Sequence, residues 1–301
     1  MDNAGESATQ RVGMVRLIAP NVTNSESATV ALGFRKSDRR SDASSREVGE
    51  HFDAVSSIYY EMVDAYKTDL AYYHARELEE AAKWARIARP GRALDAGSGP
   101  GRHTFQLLEM GFDVISLDLS RKMLAELERG GSTERVRNST TGVQGDIRAL
   151  PFKSASFDLV ICMEVIEHLP THPELVERTV RELARVLRPN GYLILEFPLR
   201  LHSLLRLLPG SAVDWKQVRK PEWYLHSPPP LRYQRRFPLR EVQRILSRAR
   251  LSVRQRIFLR VIPSGYASRF PRLDNADRIL EKVPLVRHFA RETILVLQRQ
   301  G

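Results

Sequence analysis

Three aspartates, Asp95, Asp118 and Asp146, each follow a short apolar run. The first of them opens Asp95-Ala96-Gly97-Ser98-Gly99-Pro100-Gly101. Glycines between a strand and a helix let the backbone turn sharply. They also let a ligand come close to the helix N-terminus, where unpaired N–H groups point outward. Taken alone, the loop could equally be a structural turn, and each acid alone could be a helix cap or turn residue.

The loop's details separate the ligands that could use it. A phosphate-cradling loop carries a Lys-Ser/Thr pair after its glycines, and none follows here. A dinucleotide fingerprint counted from Gly97 and Gly99 puts its third glycine at position 102, which is Arg102. Asp95 would also sit poorly beside a pyrophosphate. S-adenosylmethionine (SAM) carries an ammonium and a sulfonium and no phosphate, so an acid at a strand end attracts it. Asp118 lies about 20 residues past the loop, where an acid accepts hydrogen bonds from ribose hydroxyls. Asp146 could accept from the adenine amino group, with the backbone of Ile147 completing the base contact.

A regular alternation must position these residues. Apolar segments at 93–96, 112–118, 142–146, 157–162 and 191–197 read as strands. Helical segments run from the glycine loop to 108, over 120–128 and over 172–187. Strands alternating with helices imply a parallel sheet covered on both faces. Ahead of it, residues 69–88 read as a long helix ended by Pro90-Gly91, after a helical pattern that begins at His51. Residues 199–236, with two Trp, five Pro and many Arg, interrupt the alternation. It resumes with a helix at 239–249 and strands at 251–261 and 291–297.

Six segments together resemble the class I SAM-dependent methyltransferases, in the broad group that includes the ubiquinone and menaquinone biosynthesis enzymes. They are Leu94-Asp95-Ala96-Gly97-Ser98-Gly99-Pro100-Gly101, then Leu117-Asp118-Leu119-Ser120 with Met123-Leu124, then Gly145-Asp146-Ile147 with Leu150-Pro151-Phe152. The others are Phe157-Asp158-Leu159-Val160, Glu164-Val165-Ile166-Glu167-His168-Leu169 and Leu187-Arg188-Pro189-Asn190-Gly191-Tyr192. The resemblance covers residues 50–200 well and the remainder in topology only. It implies an α/β fold: a Rossmann-like, seven-stranded, mostly parallel sheet with helices on both faces, an antiparallel last strand, a helical N-terminal extension and a lid insertion after strand five. Residues 1–45, poor in aromatics and rich in Ser, Asn, Asp and Arg, read as a disordered tail, ahead of a methyltransferase domain, 46–301, with its core at 90–198, the lid at 199–236 and further helices and strands at 237–301. The resemblance implies SAM as cofactor, with Asp95 and Gly97 near its methionine part, Asp118 on the ribose, Asp146 on the adenine and Met163 packed beside it. Ser98, Gly99, Gly101, Leu119, Met123 and Ile147 complete the expected cofactor site. Tyr59 and Tyr60 would close over it.

Methyl transfer from a sulfonium is an in-line displacement, for which alignment and exclusion of water matter most. A base is needed only where the acceptor is still protonated. His168 is the candidate base and Glu164 its candidate companion. At spacings of three and four, Glu164, Glu167 and His168 would share a face if that segment were helical. Such a face could bind a divalent metal or touch the substrate, or these residues could be structural polar groups beside the sheet. No metal ligand is assigned. Cys162 continues an apolar strand and reads as a buried structural thiol. The segment Cys162-Met163-Glu164-Val165 lacks the Asn/Asp-Pro-Pro-Tyr/Phe signature of enzymes that methylate amide or base nitrogens, which disfavours those substrates.

Charge bears on the acceptor. The net charge is +11, and residues 199–301 hold 22 Lys and Arg against 7 Asp and Glu. That excess could attract an anionic substrate, a nucleic acid or an anionic membrane, or be a solvated surface. Residues 199–208 could form an amphipathic helix: a lid over an apolar acceptor, a membrane contact, or a helix packed on the sheet. Trp215, Trp223, Tyr224 and His226 could line a pocket, and Arg232, Arg235 and Arg236 could meet an anionic group. The expected activity is methylation of an oxygen or carbon of a small or lipid-like metabolite. The alternatives are an RNA or protein methyltransferase, against which stands the lack of a nucleic-acid module, and a non-catalytic SAM-binding protein. One cysteine and a start without a secretory pattern point to the cytoplasm, with peripheral membrane contact as an option.

Overall fold

The computed structural model describes residues 39–59, 69–131, 139–169, 173–200, 235–262 and 273–300. The sequence readings at 1–38, at Tyr60 and over 201–234, including both tryptophans of that stretch and Arg232, lie outside them.

Seven strands form one sheet: β1 (Arg92–Ala96), β2 (Asp113–Asp118), β3 (Thr141–Gln144), β4 (Phe157–Cys162), β5 (Leu187–Pro198), β6 (Leu251–Leu259) and β7 (Glu292–Arg299). Their order across the sheet is β3-β2-β1-β4-β5-β7-β6. Neighbours pair in parallel from β3 to β5, while β7 runs antiparallel to both β5 and β6. The strand order therefore reverses between β1 and β4. At such a switch point the loops diverge and open a crevice beyond the strand C-termini.

Alternation along each strand builds two cores. Leu94 and Ala96 of β1, Val160 and Cys162 of β4, and Leu193, Leu195 and Phe197 of β5 face one side. There they pack against α5 (Pro173–Val186) and α6 (Leu239–Ser247) through Val176, Val180, Val242 and Ile245. Ala93, Leu159, Ile161 and Ile194 face the other side, against α2 (Asp69–Ala88) and α3 (Arg102–Glu109) through Tyr73, Ala81, Ala85 and Leu107. Burial on both faces explains the nearly unbroken apolar runs of the central strands. The outer strand β6 is different. Arg254 and Gln255 interrupt it at a bulge, and the charge discourages edge-to-edge pairing. Among the described residues no helix is long and apolar enough to cross a membrane.

Two helices complete the crevice wall. α4 (Arg121–Arg129) packs over β2 and β3, and α1 (Arg39–Val55) lies on α4. Ser120 caps α4 by accepting from Met123 N at 3.0 Å. Asp53 of α1 then takes the Ser120 hydroxyl at 2.5 Å and Lys122 N at 3.1 Å. A carboxylate placed on the N-terminus of a second helix satisfies its open amides and complements its dipole. Because α1 starts at Arg39, residues 39–45 belong to a helix and not to the expected tail. The third strand is shorter than expected and ends at Gln144, leaving Asp146 in the following turn. The stretch before 199 and after 236 is pinned together: Leu199 bridges Phe237, Phe237 N donates to Pro198 O at 2.8 Å, and Arg200 N to Phe237 O at 3.0 Å. Both ends of the expected lid therefore start at the C-terminal edge of the sheet.

Candidate active site

The glycine loop is held from below by backbone bonds. Gly97 N and Ser98 N both donate to Leu117 O, at 2.7 and 3.0 Å, tying β1's exit to β2. Gly97 has φ +84, and a Cβ there would lie 2.4 Å from Val165 Cγ2. Gly101 has φ +99, and its Cβ would meet Leu127 Cδ1 at 2.2 Å. Both positions demand glycine, the first because the loop after β4 comes so close and the second because α4 does. Gly99 differs: its φ is +51, and a Cβ there would meet nothing within 4 Å. Open space beside a left-handed glycine at a sheet crevice is a cradle for a ligand.

That space is a cleft of about 700 Å³, including its open mouth. Seven of the expected cofactor residues line it: Gly97, Gly99, Asp118, Leu119, Met123, Asp146 and Ile147. So do both expected catalytic residues, Glu164 and His168, and also Tyr59.

Asp118 is the best-positioned acid. Its Oδ2 accepts from Gly99 N at 2.8 Å and its Oδ1 from Ser120 N at 2.8 Å. Two backbone amides fix the carboxylate, and each oxygen keeps a further lone pair for a hydroxyl. Burial raises its pKa to about 6 against the opposing effect of these amides, and Asp53 nearby adds to the rise. Asp146 is engaged more heavily than expected. Arg148 donates to it from Nε at 2.9 and 3.0 Å, from Nη2 at 2.6 Å and from its backbone N at 2.8 Å. The guanidinium therefore competes with an adenine amino group for this acid, while Ile147 and Leu119 offer apolar faces to a base.

Four expected cofactor residues, Asp95, Ser98, Gly101 and Met163, are not on the wall. Strand alternation explains the first and last. Asp95 shares the face of Ala93, under α3, where Thr104 Oγ1 donates to it at 2.7 Å. It is 2% exposed, and burial raises its pKa to about 6. Met163 continues the face of Leu159 and Ile161 and packs into that core. Ser98 is buried with its hydroxyl near Gly99 O, and Gly101 serves the close packing of α4.

The segment after β4 is not the helix that would align Glu164 with Glu167 and His168. Glu164 has φ +54, and only Ile166–His168 form a single 3-10 turn. The three side chains part as a result. His168 meets the ring of Phe52 of α1 edge-on, 5.1 Å between centroids. Glu167 is buried, and its carbonyl accepts from Arg235 N at 2.8 Å. The carboxylate of Glu164 joins a buried network with α2 instead. Arg102 Nη2 lies 2.9 Å from Glu164 Oε2 and 2.8 Å from Glu77 Oε2, and His74 Nε2 lies 3.5 Å from Glu164. Although burial opposes its charge, Arg102 and then His74 hold the Glu164 carboxyl far below the usual range. Burial pushes Glu77 up to about 7, Arg102 notwithstanding. One guanidinium thus serves two carboxyls unequally, leaving Glu164 ionised. His74, Glu77 and Glu164 bring donor atoms within 4.8 Å of one another, a spacing a metal could use. The shared Arg102 nitrogen already supplies the countercharge there.

The unusual Glu164 backbone has a brace. Glu196, at the end of β5, accepts from Glu164 N at 2.9 Å and from the Tyr73 hydroxyl. Burial, reinforced by Glu77 and Glu167, raises its pKa well above the ordinary range. Sequence reasoning did not find this residue, since a glutamate in an apolar strand carries no positional motif. It also missed Val48 and Phe52, which line the cleft from α1. Their spacing of four was a usable signal, as it places both on one helix face.

The strand order with its reversed β7, and a crevice opened by the glycine loop and edged by Asp118, define the class I SAM-dependent methyltransferase architecture. Residues 94–195 match the family described as Methyltransferase domain. Over 127 residues the chain is 36% identical to a malonyl-acyl-carrier protein O-methyltransferase of Enterobacter lignolyticus, covering 40% of this chain and 47% of that protein. It is 30% identical over 155 residues to a ubiquinone biosynthesis O-methyltransferase of Xanthomonas campestris pv. campestris, covering 46% and 60%. The chain thus spans about half the length of the curated relatives it matches. In fold it is similar to magnesium protoporphyrin IX methyltransferase of Synechocystis PCC 6803, solved with S-adenosylhomocysteine (SAH), with TM-score 0.56 at 18% identity over 85% of this chain and 99% of that one. It is also similar to the 1,6-didemethyltoxoflavin-N1-methyltransferase of Burkholderia thailandensis, with TM-score 0.52 at 19% identity over 85% and 89%. The chain thus carries a methyltransferase domain over residues 94–195, within a sheet architecture similar to that of the class I SAM-dependent methyltransferases.

Proposed function

We propose that the protein binds SAM in the cleft and transfers its methyl group to an oxygen or carbon of a small or lipid-like metabolite. The observation that carries this reading is the fixed Asp118 carboxylate beside the open space at Gly99, within a mainly apolar cleft. Asp118 would take the ribose hydroxyls, and Leu119 and Ile147 would sandwich the base. The ionised Glu164 would attract the cofactor's cationic end. Arg102, whose buried Nη1 has no hydrogen-bond partner, would meet the methionyl carboxylate. Bound there, SAM supplies an electrophilic methyl group.

The chain's own residues orient and enclose. Tyr59, Val48 and Phe52 cover the cleft from the N-terminal side and exclude water. His168 stands at the cleft wall against Phe52 and would accept the acceptor's proton where it carries one. Support for a metabolite acceptor comes from the relatives, named for malonyl-acyl-carrier protein and for ubiquinone biosynthesis, and from the apolar residues of the wall. Arg235, one of the candidate anion contacts, is buried and paired with Glu241 at 2.7 Å.

Calorimetric titration with SAM and SAH, beside Asp118→Ala, tests the cofactor. Methylation of a panel of hydroxylated, carboxylated and prenylated acceptors tests the reaction. Saturable binding lost in the variant supports the site. Binding of neither compound to the wild type would sink the proposal.

A further inference from the structure

Between β6 and β7 the chain forms α7 (Leu273–Leu280) and a tight turn. This segment leaves the C-terminal end of β6 and enters β7 at Glu292, which pairs with both Leu259 and Pro198. It therefore sits on the same edge of the sheet as the cleft. Its inner side is anchored. Leu280, Val286 and Phe289 pack on Leu199, Phe258, Val261 and Ala290.

Its outer side breaks the usual rule for a soluble surface. Ile279 is 66% exposed, Leu285 is 82% exposed, and Val283 and Pro284 are exposed between them. Apolar side chains scattered singly need no explanation, but four on one turn form a patch. The turn is ordered by bonds from Lys282 N to Ile279 O, Val283 N to Leu280 O and Arg287 N to Val283 O.

The charges are sorted as well. The acids Asp277 and Glu281 face inward. Asp277 accepts from Val261 N and Ile262 N at 2.8 and 2.9 Å. Glu281 accepts from Arg260 N at 3.0 Å and Arg76 at 3.3 Å. The cations Arg278 and Lys282 face outward, Arg278 sharing a loose 3.4 Å pair with exposed Glu79. An apolar tip flanked by Arg278 and Lys282, with Asp277 and Glu281 withdrawn, is complementary to the headgroup boundary of an anionic bilayer. Four side chains fall well short of the ~800 Å² per partner that a stable protein interface covers. A few suffice for an interfacial segment seated beside basic residues.

We propose that residues 278–285 are a docking face for an anionic lipid bilayer. Docked this way, the edge that carries the cleft faces the membrane, which is where a lipid-like acceptor resides. That consequence rests on the function proposed above, whereas the docking itself does not.

The test is flotation of the full chain with vesicles of phosphatidylcholine alone or mixed with phosphatidylglycerol, alongside SAM calorimetry. The wild type should float with the anionic vesicles only. The exposed double variant Ile279→Asp/Leu285→Asp should lower the bound fraction at least about tenfold, from the loss of two buried apolar side chains, with SAM affinity unchanged. Ile87→Asp alters a residue 49% exposed at the far end of α2 and should change nothing. A wild type that stays in solution with anionic vesicles, or a double variant that floats like the wild type, overturns the proposal. So does a wild-type dimer that the double variant converts to monomer, since the face would then join two copies. Variant-sensitive flotation without SAM binding would leave the docking intact and remove the methyltransferase reading.

Discussion

Acidification from pH 7 to pH 5 probes the part given to Asp118. Its carboxylate must be ionised to accept two ribose hydroxyls while holding Gly99 N and Ser120 N. Burial raises its pKa from 3.8 to about 6. About nine-tenths of the free protein is then ionised at pH 7 and about one-tenth at pH 5, so SAM affinity should fall about tenfold, near 1.4 kcal/mol. Loss of fold does not mimic this. A carboxyl whose folded pKa lies above its unfolded value stabilises the fold fully below pH 3.8 and loses that contribution as pH rises through about 6. Asp95, also raised to about 6 but bound to Thr104 outside the cleft, acts with the same sign. Titration calorimetry at pH 7, 6 and 5 and constant ionic strength reads the effect. Asp118→Asn should bind more weakly throughout and lose the slope. Asp53→Asn removes a like charge and should move the midpoint to lower pH. A flat wild-type profile, or an equal slope in Asp118→Asn, refutes the assignment.

Three further outcomes follow from the same geometry. Gly97→Ala forces a Cβ to 2.4 Å from Val165 at φ +84 and should cost about 1–3 kcal/mol in denaturant unfolding, with SAM binding weakened, because strain there displaces the cleft wall. His168→Ala should lower kcat about 100-fold for a hydroxyl acceptor and leave the Kd for SAM within a few-fold, as expected for a base and not for a cofactor contact. Glu196→Gln keeps a polar group between Tyr73 and Glu164 N and should cost less than Glu196→Ala, which strands both partners and should lower stability by about 1–3 kcal/mol in thermal melts.

The reach of the sequence differs between elements. The long helix at 69–88 and the strand at 157–162 fall where apolar periodicity and Pro90-Gly91 put them, because those signals are local. The loop after β4 defied the same reasoning. Glu164, Glu167 and His168 have the spacing of a helix face, yet a positive φ at Glu164 turns its carboxylate toward Arg102 and His74. No local signal announces that turn, for it is braced by Glu196, 32 residues away on another strand. Asp95 shows the limit of a motif. The run of residues resembles the family's, while strand alternation sends this side chain under α3, and the cleft wall begins at Gly97.

By itself the sequence determined the class of fold, the glycine loop, the acid that ends the second strand and the residues able to do chemistry, because each is written in short-range pattern. The tertiary structure alone decided which acids reach the cleft, which one stays charged and which helix covers it. Those outcomes depend on burial and on partners far along the chain. Arg102 brings Glu77 of α2 together with Glu164 of the loop after β4, and Asp53 of α1 closes on α4. A one-dimensional pattern cannot express either encounter, since the free energy of a charge is set by what surrounds it in space.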